Sequence, residues 1–393
     1  MKSILKNNKG VIMVDKQMLY TKKVLIFHPT IAPYRIDFFN DLYKNLKASV
    51  YLYYENLFEQ KFNYDEIKNK FEFHPKYFKK TLKIGKRVIP IGHFKALKEE
   101  QPDIVIVGEY GVGFWATVFF RFFCRKKYKV VSICDDSYDL LVNENNLHSK
   151  ARDIGLKFVD GLILCNQKAD EYYQTELGFK NNYVFPIIHK DSIYRANIEK
   201  IQKYANQLIK EEELINNRVF LFVGRISPEK NIEYLIQSFI FYHHEFPENK
   251  LFLIGNYIDS NRSYYDKLSN IVQFNKAEEY IIFLGRKEGI ELKSWLALGQ
   301  MLILPSVYER FGAVVNEALL LGEQVAVSSK AGSVMLINNR NGIILDIKEK
   351  YINFEILSNR IQPIKGKIEM IPNNMPYRYD ELMDGLIEWI DDF

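Results

Sequence analysis

Short runs of apolar, β-branched residues alternate with stretches of helical spacing along most of the chain. In the first half, the helical stretches include residues 35–46 and 167–179, and each lies between two strand-like runs. Such alternation is typical of parallel sheets built from βαβ units. The predicted strands of the first half are residues 23–29, 49–55, 103–109, 129–136, 161–166 and 183–188.

The alternation is interrupted once, by a polar, helix-prone segment at residues 197–217. Its Lys and Glu content indicates a solvent-facing connection, and we interpret it as the linker between two domains. Beyond it the strand-like runs resume, and the chain ends in a stretch of helical spacing. The predicted strands of the second half are residues 218–225, 250–256, 280–286, 301–306, 324–329 and 342–347.

These patterns predict an α/β protein with two doubly wound, Rossmann-like domains that face each other across a cleft. In sheets of this kind, ligands bind beyond the carboxyl ends of the strands, so we sought site residues there. The expected units are an N-terminal extension with a disordered start at residues 1–21, an N-terminal domain at 22–196, the linker at 197–217, a C-terminal domain at 218–375, and a C-terminal helix at 376–393 that packs back on the N-terminal domain.

Length and composition support two globular domains in a reducing compartment. A chain of 393 residues exceeds one compact core, and 47% hydrophobic with 26% charged residues excludes a disordered protein. Cys124, Cys134 and Cys165 show neither a disulfide framework nor metal-ligand spacing, so we expect a cytoplasmic protein without a metal. The first 20 residues lack a continuous apolar segment, and the most apolar run contains Arg121, so we expect neither a secretory signal nor a spanning helix.

Charge is distributed unevenly, which points to an anionic partner for the front half. Residues 21–130 carry 21 Lys+Arg against 11 Asp+Glu, whereas residues 131–393 sum to −8. Residues 74–98 interleave cations with aromatic and aliphatic residues, and the cations crowd into a twelve-residue window. We expect this segment to lie on an anionic membrane surface; a solvated positive face is the alternative. No nucleic-acid-binding module is present, so we expect no nucleic acid. The cations are Lys76, Lys79, Lys80, Lys83, Lys86 and Arg87.

The first candidate site follows the first strand of the second domain, where the sequence reads FVGRISPEKN. Gly224 permits close backbone approach, and Arg225 and Lys230 flank a loop that opens a helix. A guanidinium, an ammonium and a helix N-terminus at one place suit a phosphate or diphosphate. The alternative is a pair of exposed surface cations. Neither a Walker loop nor GxGxxG is present here.

The second candidate site lies in PSVYERFGAVVNEALLLG, residues 305–322. The run predicts a strand, a loop and a helix that Gly322 ends, so Glu309 lies in the loop and Glu317 in the second helical turn. Two carboxylates accept from hydroxyls, while backbone N–H groups between them suit anionic oxygens. A sugar nucleotide offers all of these groups, although either glutamate alone is more often a solvated charge. The N–H donors are those of Phe311, Gly312, Ala313 and Val314.

Together the two motifs resemble the retaining glycosyltransferases of family 4, which have the GT-B fold and a Glu-x7-Glu motif. The resemblance covers residues 22 to about 347. It implies transfer of a sugar from a nucleotide-sugar donor, with retention, by a metal-independent, hexosyltransferase-type enzyme that has no cofactor. It further implies that Arg225 and Lys230 hold the diphosphate, Glu309 the donor sugar and Glu317 the ribose, with Arg286 at the strand end beside the nucleobase.

The front half departs from the common family pattern and resembles a subgroup from bacterial surface-polysaccharide clusters. Its first strand ends in HPTIAPYR in place of a Gly-Gly loop, and Thr30, Tyr34 and Arg35 are expected to face the acceptor. Glu109, among glycines at another strand end, is a further candidate, with capping as its alternative role. Asp135 and Asp136 occupy the places of the family's His-Asp pair and are our candidates for catalysis on this side. His28 is a nearby strand-end histidine, a type that is more often structural.

The expected acceptor is a glycan or lipid-linked glycan, handled at the inner face of the cell membrane. Two other functions fit the same motifs. One is a nucleotide-sugar epimerase of GT-B-like fold, which needs acid–base residues that the sequence does not identify. The other is a catalytically inert GT-B subunit that binds a partner transferase, against which the full set of four charged site residues argues.

Overall fold

A computed structural model describes residues 6–7, 10–11, 21–55, 64–78, 80–84, 87–135, 137–143 and 147–393. The predictions made for Asp136, Lys79, Lys86 and most of the N-terminal extension fall outside the described residues. The same holds for the side chains of residues 81–90, which include Lys83 and Arg87.

The elements up to residue 196 follow the predicted alternation. The strands are β1 Lys6–Asn7, β2 Gly10–Val11, β3 Val24–His28, β4 Ser49–Leu52, β5 Lys76–Tyr77, β6 Lys80–Ile84, β7 Arg87–Ile91, β8 Ile104–Gly108, β9 Lys129–Cys134, β10 Gly161–Leu164 and β11 Asn182–Val184. The helices are α1 Ile36–Leu46, α2 Tyr64–Lys68, α3 His93–Glu100, α4 Val112–Phe123, α5 Tyr138–Asn143, α6 Leu147–Gly155, α7 Gln167–Thr175 and α8 Asp191–Tyr194.

Seven parallel strands form the first sheet, in the order β11-β10-β9-β8-β3-β4-β5. Val24, Leu25, Ile26 and Phe27 of β3 are all buried, because helices cover both faces of a parallel sheet. The β6–β7 pair is an antiparallel hairpin inside the basic segment, where the sequence predicted no strands.

The second part of the chain repeats the architecture. Its elements are α9 Ile198–Glu211, β12 Arg218–Val223, α10 Ile232–His243, β13 Asn249–Ile254, α11 Arg262–Phe274, β14 Ile281–Gly285, α12 Gly289–Leu298, β15 Met301–Leu304, α13 Ala313–Leu320, β16 Gln324–Ser328, β17 Gly342–Leu345, α14 Phe354–Ser358 and α15 Tyr379–Asp391. Six parallel strands form the second sheet, in the order β14-β13-β12-β15-β16-β17. The predicted fold class, α/β with two parallel sheets, is confirmed.

Helix α9 occupies the predicted linker and is packed on one face. Ile201 and Ala205 are completely buried, and the Ser294 hydroxyl of α12 donates to the Ile201 carbonyl over 3.1 Å. We expected the segment at 197–217 to face solvent, and for the face of α9 that carries Ile201 and Ala205 this expectation is wrong. The buried positions recur at helical spacing between exposed lysines, so the polar composition of the segment concealed an apolar face. The domain limits themselves stay a prediction.

Helix α15 lies against the first sheet although it follows the second in sequence. The Tyr183 hydroxyl donates to the Leu382 carbonyl over 2.7 Å, and the Trp389 indole donates to Asn181 Oδ1 over 3.0 Å. The Tyr379 ring meets Phe185 edge-on at 5.6 Å between centroids. The chain thus crosses between the two sheets twice, once after β11 and once before α15.

Candidate active site

The centre of the site is an ion pair between Lys230 and Glu309, residues that enter from two different loops. The Lys230 ammonium donates to Glu309 Oε2, and only 15% and 13% of the two side chains are exposed. Lys230 ends a 3-10 turn after β12, and the Val307 N–H donates to the Glu229 carbonyl over 3.0 Å, which ties this turn to the loop after β15. The fold thereby joins the two motifs that the sequence places eighty residues apart.

Helix α13 begins beside this ion pair. Its preceding residue, Gly312, has φ of 89°, and a Cβ there would lie 2.7 Å from Leu304 Cδ2, so only glycine fits. Among the described residues, no acceptor engages the N–H groups of Ala313 and Val314. Phe311 is buried beneath the loop. Backbone donors and a lysine therefore lie together at the carboxyl end of β15, an arrangement suited to an anion.

Two predicted donor residues are exposed and are not brought into the ion pair. Arg225 has 64% of its side chain exposed and approaches Glu229 at 3.9 Å. Arg286 has 58% exposed and forms an ion pair with Glu288. Gly224 lies so close to Gly255 that a Cβ on Gly255 would lie 1.8 Å from the Gly224 carbonyl oxygen. The two arginines lie at the strand ends as exposed cations beside exposed glutamates, and their roles stay predictions.

On the first sheet, the predicted acceptor-side residues form one buried polar group. Arg35 is 4% exposed and its guanidinium donates to Asp135 Oδ1. The Asp135 N–H in turn donates to Glu109 Oε1, so Glu109 does cap the end of β9. The Thr30 hydroxyl donates to the Glu55 carbonyl over 3.1 Å, which holds the loop after β3. The charge of Asp135 is therefore paired with Arg35 before any ligand binds.

A cavity of about 310 Å³ joins this group to the second sheet. Its wall from the first sheet includes His28, Tyr34, Glu109 and Asp135, and Arg310 closes it from the loop after β15. Burial raises the pKa of the Tyr34 hydroxyl, with Asp135 adding to the effect and Arg310 opposing it. Burial also lowers the pKa of His28 to about 4, and its Nδ1 lies 2.7 Å from the Thr30 carbonyl oxygen. His28 is therefore a neutral wall residue.

Glu317 lies in a different environment from Glu309, because it contacts His189. His189 Nε2 lies 3.2 Å from Glu317 Oε1, and His189 Nδ1 lies 3.9 Å from Asp37 Oδ2 of α1. Burial opposes protonation of the imidazole, but the two carboxylates outweigh it and raise the pKa of His189 to about 9. The His189 N–H also donates to Asn316 Oδ1 over 2.8 Å. A charged histidine thus connects α1 of the first part of the chain with α13 of the second.

The sequence analysis missed His189 and Arg310. His189 follows the strand-like run at 183–188, so its place at a strand end was a usable signal. Its partners Asp37 and Glu317 are distant in sequence, so only the tertiary structure reveals the contact. Arg310 lies directly after Glu309 and could have been included with the motif.

Within the described chain, no group of three or more His, Cys, Asp or Glu side chains could hold a metal ion. In the same residues, none of the helices combines the length and hydrophobicity that a bilayer-spanning segment requires.

The family described as glycosyl transferases group 1 matches residues 202–355. This range covers α9 to α14 and includes Lys230, Glu309 and Glu317. The similarity to this family therefore falls on the part of the chain that carries the second sheet.

Curated relatives resemble parts of this chain. A glycosyltransferase of Methanocaldococcus jannaschii, named as uncharacterized, is 34% identical over 33% of this chain and 32% of its own. The alpha-monoglucosyldiacylglycerol synthase of Acholeplasma laidlawii is 26% identical over 41% of this chain and 40% of its own. A 41.2 kDa protein in the cps region of Klebsiella pneumoniae is 24% identical over 67% of this chain and 71% of its own. The chain thus spans about a third of the first relative and 44% of another, the YqgM glycosyltransferase of Bacillus subtilis.

Solved structures extend the likeness to both sheets. HepE of Anabaena in complex with UDP-glucose has a TM-score of 0.68 at 16% identity, covering 95% of this chain and 100% of its own. A glycosyltransferase of Rickettsia africae has a TM-score of 0.70 at 15% identity, covering 95% and 98%. At these identities the likeness shows the fold alone, and it confirms the GT-B arrangement expected from the sequence.

Proposed function

We propose that this protein is a glycosyltransferase that uses a nucleotide-sugar donor. The observation that carries the proposal is the Lys230–Glu309 ion pair beside the start of α13, across the cleft from the polar group around Asp135. The group 1 region and the UDP-bound neighbours of the same fold support it. In this proposal, the domain at residues 22–196 binds the acceptor and the domain at residues 218–375 binds the donor.

The donor diphosphate binds between Lys230 and the free N–H groups of Ala313 and Val314. An ammonium has three donors, so Lys230 can keep Glu309 and contact a phosphate oxygen at the same time. The charge that develops on the departing nucleotide is then stabilised by fixed dipoles and one cation, without reorganisation of the loop. Arg225 is exposed and completes this contact by swinging in, because no buried partner holds it.

Glu309 orients the donor sugar by accepting hydrogen bonds from the hydroxyls of that sugar. Glu317 accepts a hydrogen bond from a ribose hydroxyl with Oε2, because Oε1 contacts His189. The nucleobase lies beyond β14, near Arg286. Thr30, Tyr34, Arg35 and Glu109 form the acceptor side, with Asp135 and Asp136 as the carboxylates available there. Phe311 and Gly312 shape the loop that separates the donor side of the cleft from the acceptor side.

The finer statements of the proposal come from the family 4 resemblance. They are retention of the anomeric configuration, independence of metal and cofactor, and transfer to a glycan or lipid-linked glycan for a surface polysaccharide. A cytoplasmic location with peripheral attachment to the inner membrane face suits such an acceptor. The relative from a cps region and the relative named for a glycolipid product support these acceptor classes.

A thermal-shift screen with nucleotides and nucleotide-sugars tests the donor site, followed by product analysis with the best donor. A nucleoside diphosphate that raises the melting temperature, together with transfer to an added acceptor, is the expected result. Chromatography of donor incubated without acceptor separates the alternatives, because an epimerised sugar indicates an epimerase. Nucleotide binding with neither product indicates an inert subunit.

A further inference from the structure

Helix α4 carries two apolar faces, of which only one is buried. Phe114 and Val118 pack into the first part of the chain, whereas Phe119, Phe122 and Phe123 are 49%, 74% and 75% exposed. We define the outer face of α4 as the side chains that recur at helical spacing on the solvent side. They are Val112, Trp115, Phe119, Phe122 and Phe123.

The aromatic rings of the outer face form a continuous ridge. Centroids lie 6.1 Å apart for Trp115 and Phe119, 6.2 Å for Phe119 and Phe123, and 5.6 Å for Phe122 and Phe123. Phe94 of α3 is 54% exposed, and its ring lies 5.5 Å from that of Phe120, a buried residue of α4 that is not part of the outer face. Contiguous exposed aromatics of this extent are typical of interaction surfaces.

The charges within α4 and the turn that follows it are all positive. Residues 110–134 contain five Lys+Arg and no Asp or Glu. Asp160 neutralises two of these cations, with Arg121 at 2.6 Å and Lys129 at 3.4 Å. The other three, Arg125, Lys126 and Lys127, are exposed directly after the last aromatic, and no ion pair of the described residues contains them.

A groove of about 570 Å³ lies between the ridge and these cations. Phe122 forms one side, and Arg121, Lys126, Lys127 and Lys129 contribute cations around it. Asp160 also lines the groove, where it pairs with Arg121 and Lys129, so Lys126 and Lys127 are the cations left to meet an anion. An apolar edge next to clustered ammonium groups matches an anionic lipid, whose acyl chains meet the aromatics while its phosphate meets the lysines.

We propose that the outer face of α4 and the basic turn at residues 125–127 dock the protein on an anionic lipid bilayer. A second copy of this chain is a poorer occupant, because a symmetric contact would bring the exposed cations at residues 125–127 of two copies together, and Asp160 is already paired with Arg121 and Lys129. The site of attachment differs from the basic segment predicted at 74–98, although α3, at the end of that segment, lies alongside.

Docking through α4 would also determine how an acceptor reaches the cavity. This step rests on the function proposed above. Val112 and Gly113, at the start of α4, also line the cavity that holds Glu109 and Asp135. A bilayer in contact with the outer face therefore lies next to the acceptor-side cavity. A lipid-linked acceptor reaches that cavity without leaving the membrane.

The test uses the full-length protein and Cys124, which follows Phe123. Cys124 is exposed while Cys134 and Cys165 are buried, so an environment-sensitive thiol dye reports on the ridge. The labelled protein is mixed with phosphatidylcholine vesicles, with or without phosphatidylglycerol, at low and high salt. We expect a blue shift and co-sedimentation with the anionic vesicles only, weakened by salt because screening shortens at high ionic strength.

Two variants separate the apolar and the ionic parts. Phe122→Ser with Phe123→Ser should lower the partition coefficient at least tenfold at any salt concentration, because two large apolar side chains are lost. Arg125→Glu with Lys126→Glu and Lys127→Glu should lower it about fivefold per cation at low salt.

The matched controls are Phe274→Ser, at an 88% exposed ring on α11, and a triple Lys→Glu change at the exposed residues 200, 203 and 210 of α9. Both should bind vesicles as the wild type does. Equal binding to neutral vesicles, or full binding by both α4 variants, overturns the proposal. Dimerisation of the wild type in sedimentation, abolished by the double serine variant, assigns the face to a second copy instead.

Thermal shifts with the same panel of nucleotides and nucleotide-sugars on these samples keep this result apart from the proposed function. Vesicle binding without any nucleotide response refutes the donor site alone. A nucleotide response without vesicle binding refutes the docking surface alone.

Discussion

Replacing His189 by Gln should remove a pH-dependent part of the stability. The imidazole is held between Asp37 and Glu317, and its pKa is raised from 6.5 to about 9. One pKa unit corresponds to 1.36 kcal/mol, so the charged histidine contributes on the order of 3 kcal/mol relative to the unfolded chain. Gln keeps one hydrogen-bond donor near Glu317 but carries no charge.

The sign follows from the direction of the pKa shift. Because the folded pKa lies above the unfolded one, this stabilisation is fully present below pH 6.5 and is lost as pH rises through about 9. Urea unfolding of wild type and His189→Gln, at about pH 6 and about pH 10, measures the two free energies of unfolding. The difference between the proteins should shrink by roughly 3 kcal/mol at the higher pH.

The control is His93→Gln. His93 is 4% exposed and burial lowers its pKa to about 4, so it is neutral at both pH values. In the unfolded chain an ordinary histidine is largely protonated at pH 6, which favours unfolding of the wild type there. The cost of His93→Gln should therefore be larger at pH 10 than at pH 6, by about 1 kcal/mol or less, which is opposite in sign to the change expected at His189. If the difference between wild type and His189→Gln stays constant with pH, the ionised His189 does not connect α1 with α13.

Three further predictions concern the carboxylates and Lys230. Lys230→Ala should weaken nucleoside diphosphate binding about tenfold or more in calorimetry, since a charge-assisted contact contributes about 1.5–3 kcal/mol; Lys267→Ala, at a remote ion pair with Glu233, should leave affinity unchanged. Glu309→Gln should depress turnover while nucleotide affinity is nearly retained, whereas Glu317→Gln should weaken both; identical affinities for free nucleotide would contradict this division. Glu323 is fully buried without a hydrogen-bond partner among the described residues, and burial raises the pKa of its carboxyl well above the usual value. Glu323→Gln should therefore gain stability over wild type as pH rises from about 5 to 7, by about 1.4 kcal/mol per pH unit while the folded carboxyl stays protonated, and a melting difference independent of pH would refute it.

The sequence predicted the strands well because parallel strands buried on both faces are nearly continuous apolar runs. Each predicted strand overlaps an observed one, and β3 shows why, with four buried residues in succession. The β6–β7 hairpin was missed because cations interrupt its apolar positions. Helix α9 was placed correctly, but its buried face was hidden among lysines and glutamates.

The sequence identified individual site residues from their side-chain type and their place at a strand end, but it did not identify which of them contact each other. Lys230 and Glu309 were chosen separately, each for its place at a strand end, and the fold joins them. The partners of His189 could not be predicted, because contacts across more than a hundred residues depend on how the two parts of the chain pack.

The course of α15 bears on how this protein can be recombined with others of the same fold. The helix is encoded last, yet Tyr379 and Trp389 pack against residues that precede α9. A chimera that replaces everything after residue 217 would bring a foreign helix onto the first sheet and leave Phe185 against an unmatched surface. Two junctions are needed, one before β12 and one before α15, so that the host retains its own final helix. The modular unit of the protein is thus an internal segment, and gene fragments cut at a single point between the sheets will recombine poorly.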